Sequence, residues 1–331
     1  MGSPRRRVTS VDVAREAGLS RATVSYVLND APGQSIPEHT RQRVLAAARR
    51  LGYNPSGPAR ALRSGRSDVV VMVLPDWPQG PSMIDMVEAA TDALAEAGLT
   101  LLTHHTAAAH PVPVAQLCAT ISPAAVAGVV PFTAEAVAQL RHTGVDVVFP
   151  SPESDSSQAL SWLGSPGRLQ AAYLIEHGHT RLGFALPDHP RLRDIASARL
   201  QQVTAACAEH DLQPPTARTV PLDPAAAGEA VAHWRAQAGA PTAICAYNDE
   251  VAMAVLAGMR TLGLAAPTDL AVVGADDSPM AKLTAPPLTT VAIDAHAHGR
   301  ALAALLIARL AGEPFGETAG AGDRVVVRVS A

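Results

Sequence analysis

Groups able to do covalent chemistry are few in this chain and badly spaced for it. Asp276 and Asp277 are adjacent carboxylates at the end of an apolar run. Neighbouring side chains on a strand point to opposite faces, so the two do not make an acid–base couple. His104, His105 and His110 cluster near one strand end, and His296 and His298 form a His-Ala-His run. Solvated histidines are the ordinary reading of both, and no metal is expected. Cys118, Cys207 and Cys245 are widely spaced in apolar contexts, a pattern of buried thiols in a reducing compartment. Lys282 is the single lysine, which leaves none for a phosphate loop or a Schiff base. The signatures GxSxG, HExxH, CxxC and GxxxxGK are all missing. No catalytic residue and no cofactor is expected, so the chemistry to look for is non-covalent.

Charge distribution says which kind. The first sixty-six residues hold twelve arginines against Asp12, Glu16, Asp30 and Glu38, a formal charge of +8, while the remainder carries −12. A basic head on an acidic body suggests a polyanion-binding module fused to something else. At 331 residues the chain is long enough for two or three domains. The amino-terminal Arg5–Arg7 run is not followed by the apolar segment of a signal peptide. No apolar stretch reaches membrane-spanning length. The chain reads as cytoplasmic.

Helical spacing must position the basic residues. In residues 9–29, Thr9 followed by Asp12 predicts a capping box. Val11, Val13, Ala14 and Ala17 give a helix of about two turns, which Gly18 stops. Ser20 caps a second helix whose Val24, Val27 and Leu28 share a face. That arrangement is a helix-turn-helix, with the N-terminal part of its second helix free to enter a major groove. A third helix over Glu38–Leu51 should bury Val44, Leu45, Ala48 and Leu51, with Pro37 in its first position and a cap from upstream. Beyond Gly52, Ser56 opens a short segment in which Leu62 stands between arginines. A helix there is too short to be stable alone.

From Asp68 on, apolar β-branched runs alternate with Ala- and Leu-rich helical segments. The runs fall at 69–74, 99–103, 126–130, 145–149, 180–186, 242–247, 269–274 and 324–329. Such alternation predicts an α/β body with parallel sheets covered on both faces. Ligands of such sheets bind beyond the carboxyl ends of strands. That places Asp76 and Trp77, Arg193 and Arg199, Asn248 and Asp249, and Asp276 and Asp277 among the candidates. Asn248 can equally cap the following helix, and Asp277 reads as structural.

Residues 8–74 resemble the lactose-repressor (LacI/GalR-type) family of bacterial transcription regulators. The resemblance is carried by VTSVDVAREAGLSRATVSYVLN, TRQRVLAAARRLGYNPSGPARALRSGRS and a strand ending LPD. It continues through HGHTRLGF, AYNDEVAMAVL, LAVVGADD and PPLTTV. It implies base contacts from Arg21, Ala22 and Tyr26. Thr9, Ser20, Thr23, Ser25 and Asn29 would touch phosphates or hold the turn. Leu62 would wedge into the minor groove, with Arg60 on the DNA beside it.

The implied architecture is a helix-turn-helix head over 1–55, a hinge over 56–66 and a periplasmic-binding-protein-like core over 67–331. The core would have two subdomains, about 67–162 with 295–315 and about 163–294 with 316–331. An effector would sit between them, touching Arg199, Asn248 and Asp276, with Trp162 where the second subdomain begins. The implied partners are operator DNA, a second copy of the chain, with a tetramer left open, and a small polar effector of sugar- or nucleoside-like chemistry. The alternative is a periplasmic-type ligand-binding protein without DNA function.

Three segments depart from the family pattern. Ser35-Ile36-Pro37 precedes the third helix, Trp77–Met83 replaces an Asn-Pro-Phe-Phe-like run, and SWLGSP replaces a Val-Asp-Asn-like run near Trp162.

Overall fold

In the computed structural model the first helix, α1 (Ser10–Ala17), begins where Asp12 turns back on Thr9. The Asp12 carboxylate accepts both the Thr9 N–H at 2.9 Å and the Thr9 hydroxyl at 2.7 Å. Gly18 ends the helix at φ +62°, a left-handed conformation that costs glycine nothing. Ser20 then accepts the Thr23 N–H at 3.0 Å and starts α2 (Arg21–Leu28). The third helix, α3, spans Glu38–Leu51. Residues 8–28, 36–53, 66–106, 113–152, 161–313 and 322–331 are described, side chains of 161–163 excepted. The chain divides into two compact units, one up to Asp68 and one from Val69.

The head's core is Val13, Ala14, Ala17, Val24, Val27, Val44, Ala47 and Ala48, with Leu19, Leu28, Ile36, Leu51 and Tyr53 against it. Two expectations for α3 need correction. Leu45 is 38% exposed and Ala47 fully buried. The buried stripe runs 44, 47, 48, 51, and position 45 lies about a quarter turn off it. Pro37 is the residue before the helix, not its first residue; among the described residues no side chain caps it, and Ser35, upstream, lies outside them. Val11, on α1, is also exposed. Two arginines of α3 are structural: Arg43 donates to the Ala17 carbonyl at 2.8 Å, and Arg50 pairs with Glu16 at 3.1 Å.

The second unit holds two sheets. The first has β1 (Val69–Leu74), β2 (Thr100–His105), β3 (Ala125–Gly128) and β4 (Val147–Phe149) in parallel order β2-β1-β3-β4. Its helices are α4 (Pro81–Glu96), α5 (Val114–Ile121), α6 (Ala134–His142) and α11 (Ala295–Ala311). Gly299 lets α11 lie directly on α4, since a Cβ there would be 2.3 Å from the Met86 carbonyl oxygen.

The second sheet has β5 (Leu182–Pro187), β6 (Thr216–Val220), β7 (Ala243–Ala246), β8 (Ala271–Ala275), β9 (Thr289–Ala292) and β10 (Arg324–Val326). The order is β10-β9-β8-β7-β5-β6, with β10 antiparallel to β9. The sheets are therefore not wholly parallel. Around it lie α7 (Ser161–Glu176), α8 (Arg193–Glu209), α9 (Pro224–Arg235) and α10 (Asp249–Thr261).

Sequence pattern missed β6 and β9 for one reason: both are polar. β6 is an edge strand with alternating exposure. Thr289 and Thr290 in β9 are fully buried but bonded, Thr289 to the Ala331 carbonyl and Thr290 to Asp249. The run expected over 324–329 leaves the ladder after Val326, and Val327 and Val329 are exposed.

Candidate functional site

In the head, helix geometry separates core from surface. Val24 and Val27 are buried; Arg21 and Ala22 are exposed, Tyr26 is 41% exposed, and Thr23 and Ser25 are half-buried. The exposed residues centre on the face opposite the valines, at the 100° per residue of an α-helix. Ser20 and Thr23 hold the turn, their hydroxyls 2.9 Å apart. Thr9 is exposed but committed to the capping box. Helix α2 has no acidic residue in its first turn, so its N-terminal dipole and Arg21 together favour an anion. Asn29, Arg60 and Leu62 lie outside the described residues.

In the core, the candidates gather at the carboxyl ends of β1, β5, β7 and β8. Arg199, on α8, is 4% exposed. It donates to the Tyr247 carbonyl, lies 4.8 Å from the Tyr247 ring centroid and pairs with Asp276 at 3.6 Å. Asp276 stands at φ +103°, a backbone conformation rare outside glycine. Burial pushes its carboxyl up to about 6, although Arg199 pulls the other way. Asn248 caps α10 by accepting the Val251 N–H at 3.0 Å.

Asp76, past β1, pairs at 2.8 Å with Arg191 of the short 3-10 turn Pro190–Leu192 that follows β5. That ion pair joins the strand ends of the two sheets. Arg193, two residues on, is exposed at the first position of α8. Trp77 is half-buried against the main core cluster. Trp162 lies in the first turn of α7, its side chain outside the description.

Two of the residues named at the strand ends are committed to bonds within the protein. Asp249 is 2% exposed and accepts the Thr290 hydroxyl at 2.5 Å and the Ser278 N–H at 2.6 Å. Burial raises its pKa, with the Thr290 bond opposing. Asp277 pairs with Arg328 at 2.6 Å.

Sequence reasoning missed Arg191 and Gln170. Gln170 is fully buried on α7, and its amide donates to the carbonyls of Ala246, Val273 and Gly274, tying the ends of β7 and β8. A polar residue inside the apolar stretch of α7 was a readable signal for it. Arg191 had none, because its partner is remote in sequence.

Residues 10–56 match the family described as bacterial regulatory proteins, lacI family, and residues 171–330 match a periplasmic binding protein-like domain. The chain is 31% identical over 324 residues to the HTH-type transcriptional regulator MalR of Streptomyces coelicolor, covering 92% of this chain and 90% of that one. The chain belongs to the lacI family. It is a DNA-binding transcriptional regulator with a periplasmic-binding-protein-like core.

The regulator is also 30% identical to the ribose operon repressor of Bacillus subtilis, over 94% of each chain. Its fold matches a lac repressor dimer bound to operator and the anti-inducer ONPF, with a TM-score of 0.73 at 20% identity over 98% of this chain and 99% of that one. Among the regulator's described residues no helix is long and apolar enough to cross a membrane.

Proposed function

We propose that this regulator is a cytoplasmic repressor without enzymatic activity. It binds a pseudo-palindromic operator as a homodimer and answers to a small polar effector of sugar- or nucleoside-like chemistry. The observation that carries the reading is the exposed face of α2, where Arg21, Ala22 and Tyr26 stand opposite buried Val24 and Val27. One such helix reads only a few base pairs, so two heads on a two-fold site give the specificity a single head lacks. Thr9, Ser20, Thr23 and Ser25 then serve the backbone, together with Asn29; Leu62, with Arg60, takes the minor groove.

The effector class follows from the groups at the strand ends. Asp76 is matched by Arg191 and Asp276 by Arg199. A ligand rich in hydroxyls or ring nitrogens can exchange hydrogen bonds with such pairs, and Arg193, exposed beside them, can donate to a further acceptor. Asp76, Trp77, Trp162, Arg193, Arg199, Asn248 and Asp276 are the contacts proposed for it. The names of relatives, a ribose operon repressor among them, accord with a sugar-like class.

Selection from a random duplex library tests the proposal. Wild type should return two half-sites related by a dyad. Arg21→Ala should lose discrimination at one position per half-site, by about 1–3 kcal/mol if Arg21 grips a guanine. Identical base preferences for the two proteins would refute the assignment.

A further inference from the structure

The chain passes between the two sheets three times: from β4 to α7, from β9 to α11, and from α11 to β10. One carboxylate meets all three passages. Asp323, beside β10, accepts the Ser165 hydroxyl at 2.7 Å from the start of α7. Its other oxygen accepts the N–H of Asp294, the residue before α11, at 2.9 Å. That oxygen also lies 3.1 Å from Nε2 of His298, in the first turn of α11. The Asp323 side chain is 7% exposed. Asp294 in turn caps α11 by accepting the Ala297 N–H at 2.9 Å.

Burial by itself would raise the pKa of Asp323. The bonds from His298, Ser165 and the Asp294 N–H outweigh it and hold the group below its ordinary value. Among the described residues its donors come from two stretches remote from its own, Ser165 at the start of α7 and Asp294 with His298 at the start of α11. Withdrawing any one of them leaves a desolvated charge short of a partner, so the three stretches are held together.

We infer that Asp323 is the pivot of the core, a positioning residue that fastens the three passages into one hinge. The two sheets then reorient about it as rigid bodies, and ligand binding at the strand ends becomes a defined rotation instead of a loosening. The inference rests on the proposed effector response for its purpose, but its consequence is read in the free protein without ligand or DNA.

The test places nitroxide labels on Glu96→Cys in α4 and Glu229→Cys in α9. Both positions are exposed, and the native Cys118, Cys207 and Cys245 are buried. Distances between the sheets are measured by pulsed electron resonance on the intact protein, diluted with unlabelled chains. The parent should give a single narrow distance, and Asp323→Ala a second, separated population. Asp323→Asn keeps atoms of the same shape in place and should largely restore the single distance. Ser165→Ala and His298→Ala should each give a smaller second population.

An unchanged distance in Asp323→Ala, with only its melting temperature lowered, would reduce the cluster to a helix cap and overturn the inference. If Asp323→Ala fails to fold, unshifted distances in both Ser165→Ala and His298→Ala overturn it equally. Loss of DNA selectivity by the parent would instead count against the proposed function, which this measurement does not read.

Discussion

In the head, Arg21, Ala22 and Tyr26 stand exposed on a helix whose opposite face is buried. In the core, Arg199, Asp276 and Asn248 are each already bonded within the protein. DNA therefore meets a surface that needs little internal rearrangement, whereas an effector must trade against existing contacts. This trade is what makes a ligand able to shift a conformational balance: only a difference in contacts between two states can do so. The same difference separates how the two regions should respond to substitution.

The largest effect should come from the buried pair. Arg199→Ala leaves Asp276 desolvated and the Tyr247 carbonyl without its donor, and should destabilise the core by about 3–5 kcal/mol. Urea melts of the core should show the loss while amide protection in α1 and α2 stays as in wild type. Equal losses in both regions would erase the contrast.

Removing the other half of that pair should have the opposite sign. With the Asp276 carboxyl raised from 3.8 to about 6, the folded state binds more protons than the unfolded state between those values. Stability from this group is thus fully present below about pH 4 and lost as pH rises through 6. Asp276→Asn mimics the protonated form and should stabilise the core at pH 7 by up to about 3 kcal/mol. The advantage over wild type should vanish near pH 4. Melting curves across that range decide it, and an advantage independent of pH would show that burial is not the cause.

A smaller effect is expected in the head. Asp12→Ala removes both bonds to Thr9 and should cost about 1 kcal/mol of helix stability. Hydrogen exchange should quicken over residues 10–17 and not in the core. The smallest should be Asp76→Asn. Its pair with Arg191 is half exposed, and such pairs contribute about 0–1 kcal/mol. Thermal stability should scarcely move, and a shift comparable to that of Arg199→Ala would mean the strand ends of the two sheets are joined far more tightly than this ion pair alone allows.

What the sequence determined on its own was local. The Thr9–Asp12 box, the Gly18 stop, the Ser20 cap and the valine face of α2 all depend on residues within four positions of one another, and the structure places them as their spacing requires. The buried strands β1, β3, β7 and β8 were legible for the same reason, since continuous burial needs only an apolar run, whereas β2, expected from an equally apolar run, is left largely exposed at the edge of its sheet. Capping by Asn248 and the structural role of Asp277 were also readable as alternatives.

Tertiary structure alone decided the rest. Leu45 lost its place in the core to Ala47 because the packing of α1 and α2 fixed which stripe of α3 is covered. β6 and β9 carry too little apolar signal, and pairing with their neighbours made them strands. Arg191 faces Asp76 across 115 positions and Asp323 meets Ser165 across 158. Single charged or hydroxyl residues have no periodicity to announce such partners. Their pairing is set by where the fold brings the chain back, because a desolvated charge must be matched wherever it comes to rest.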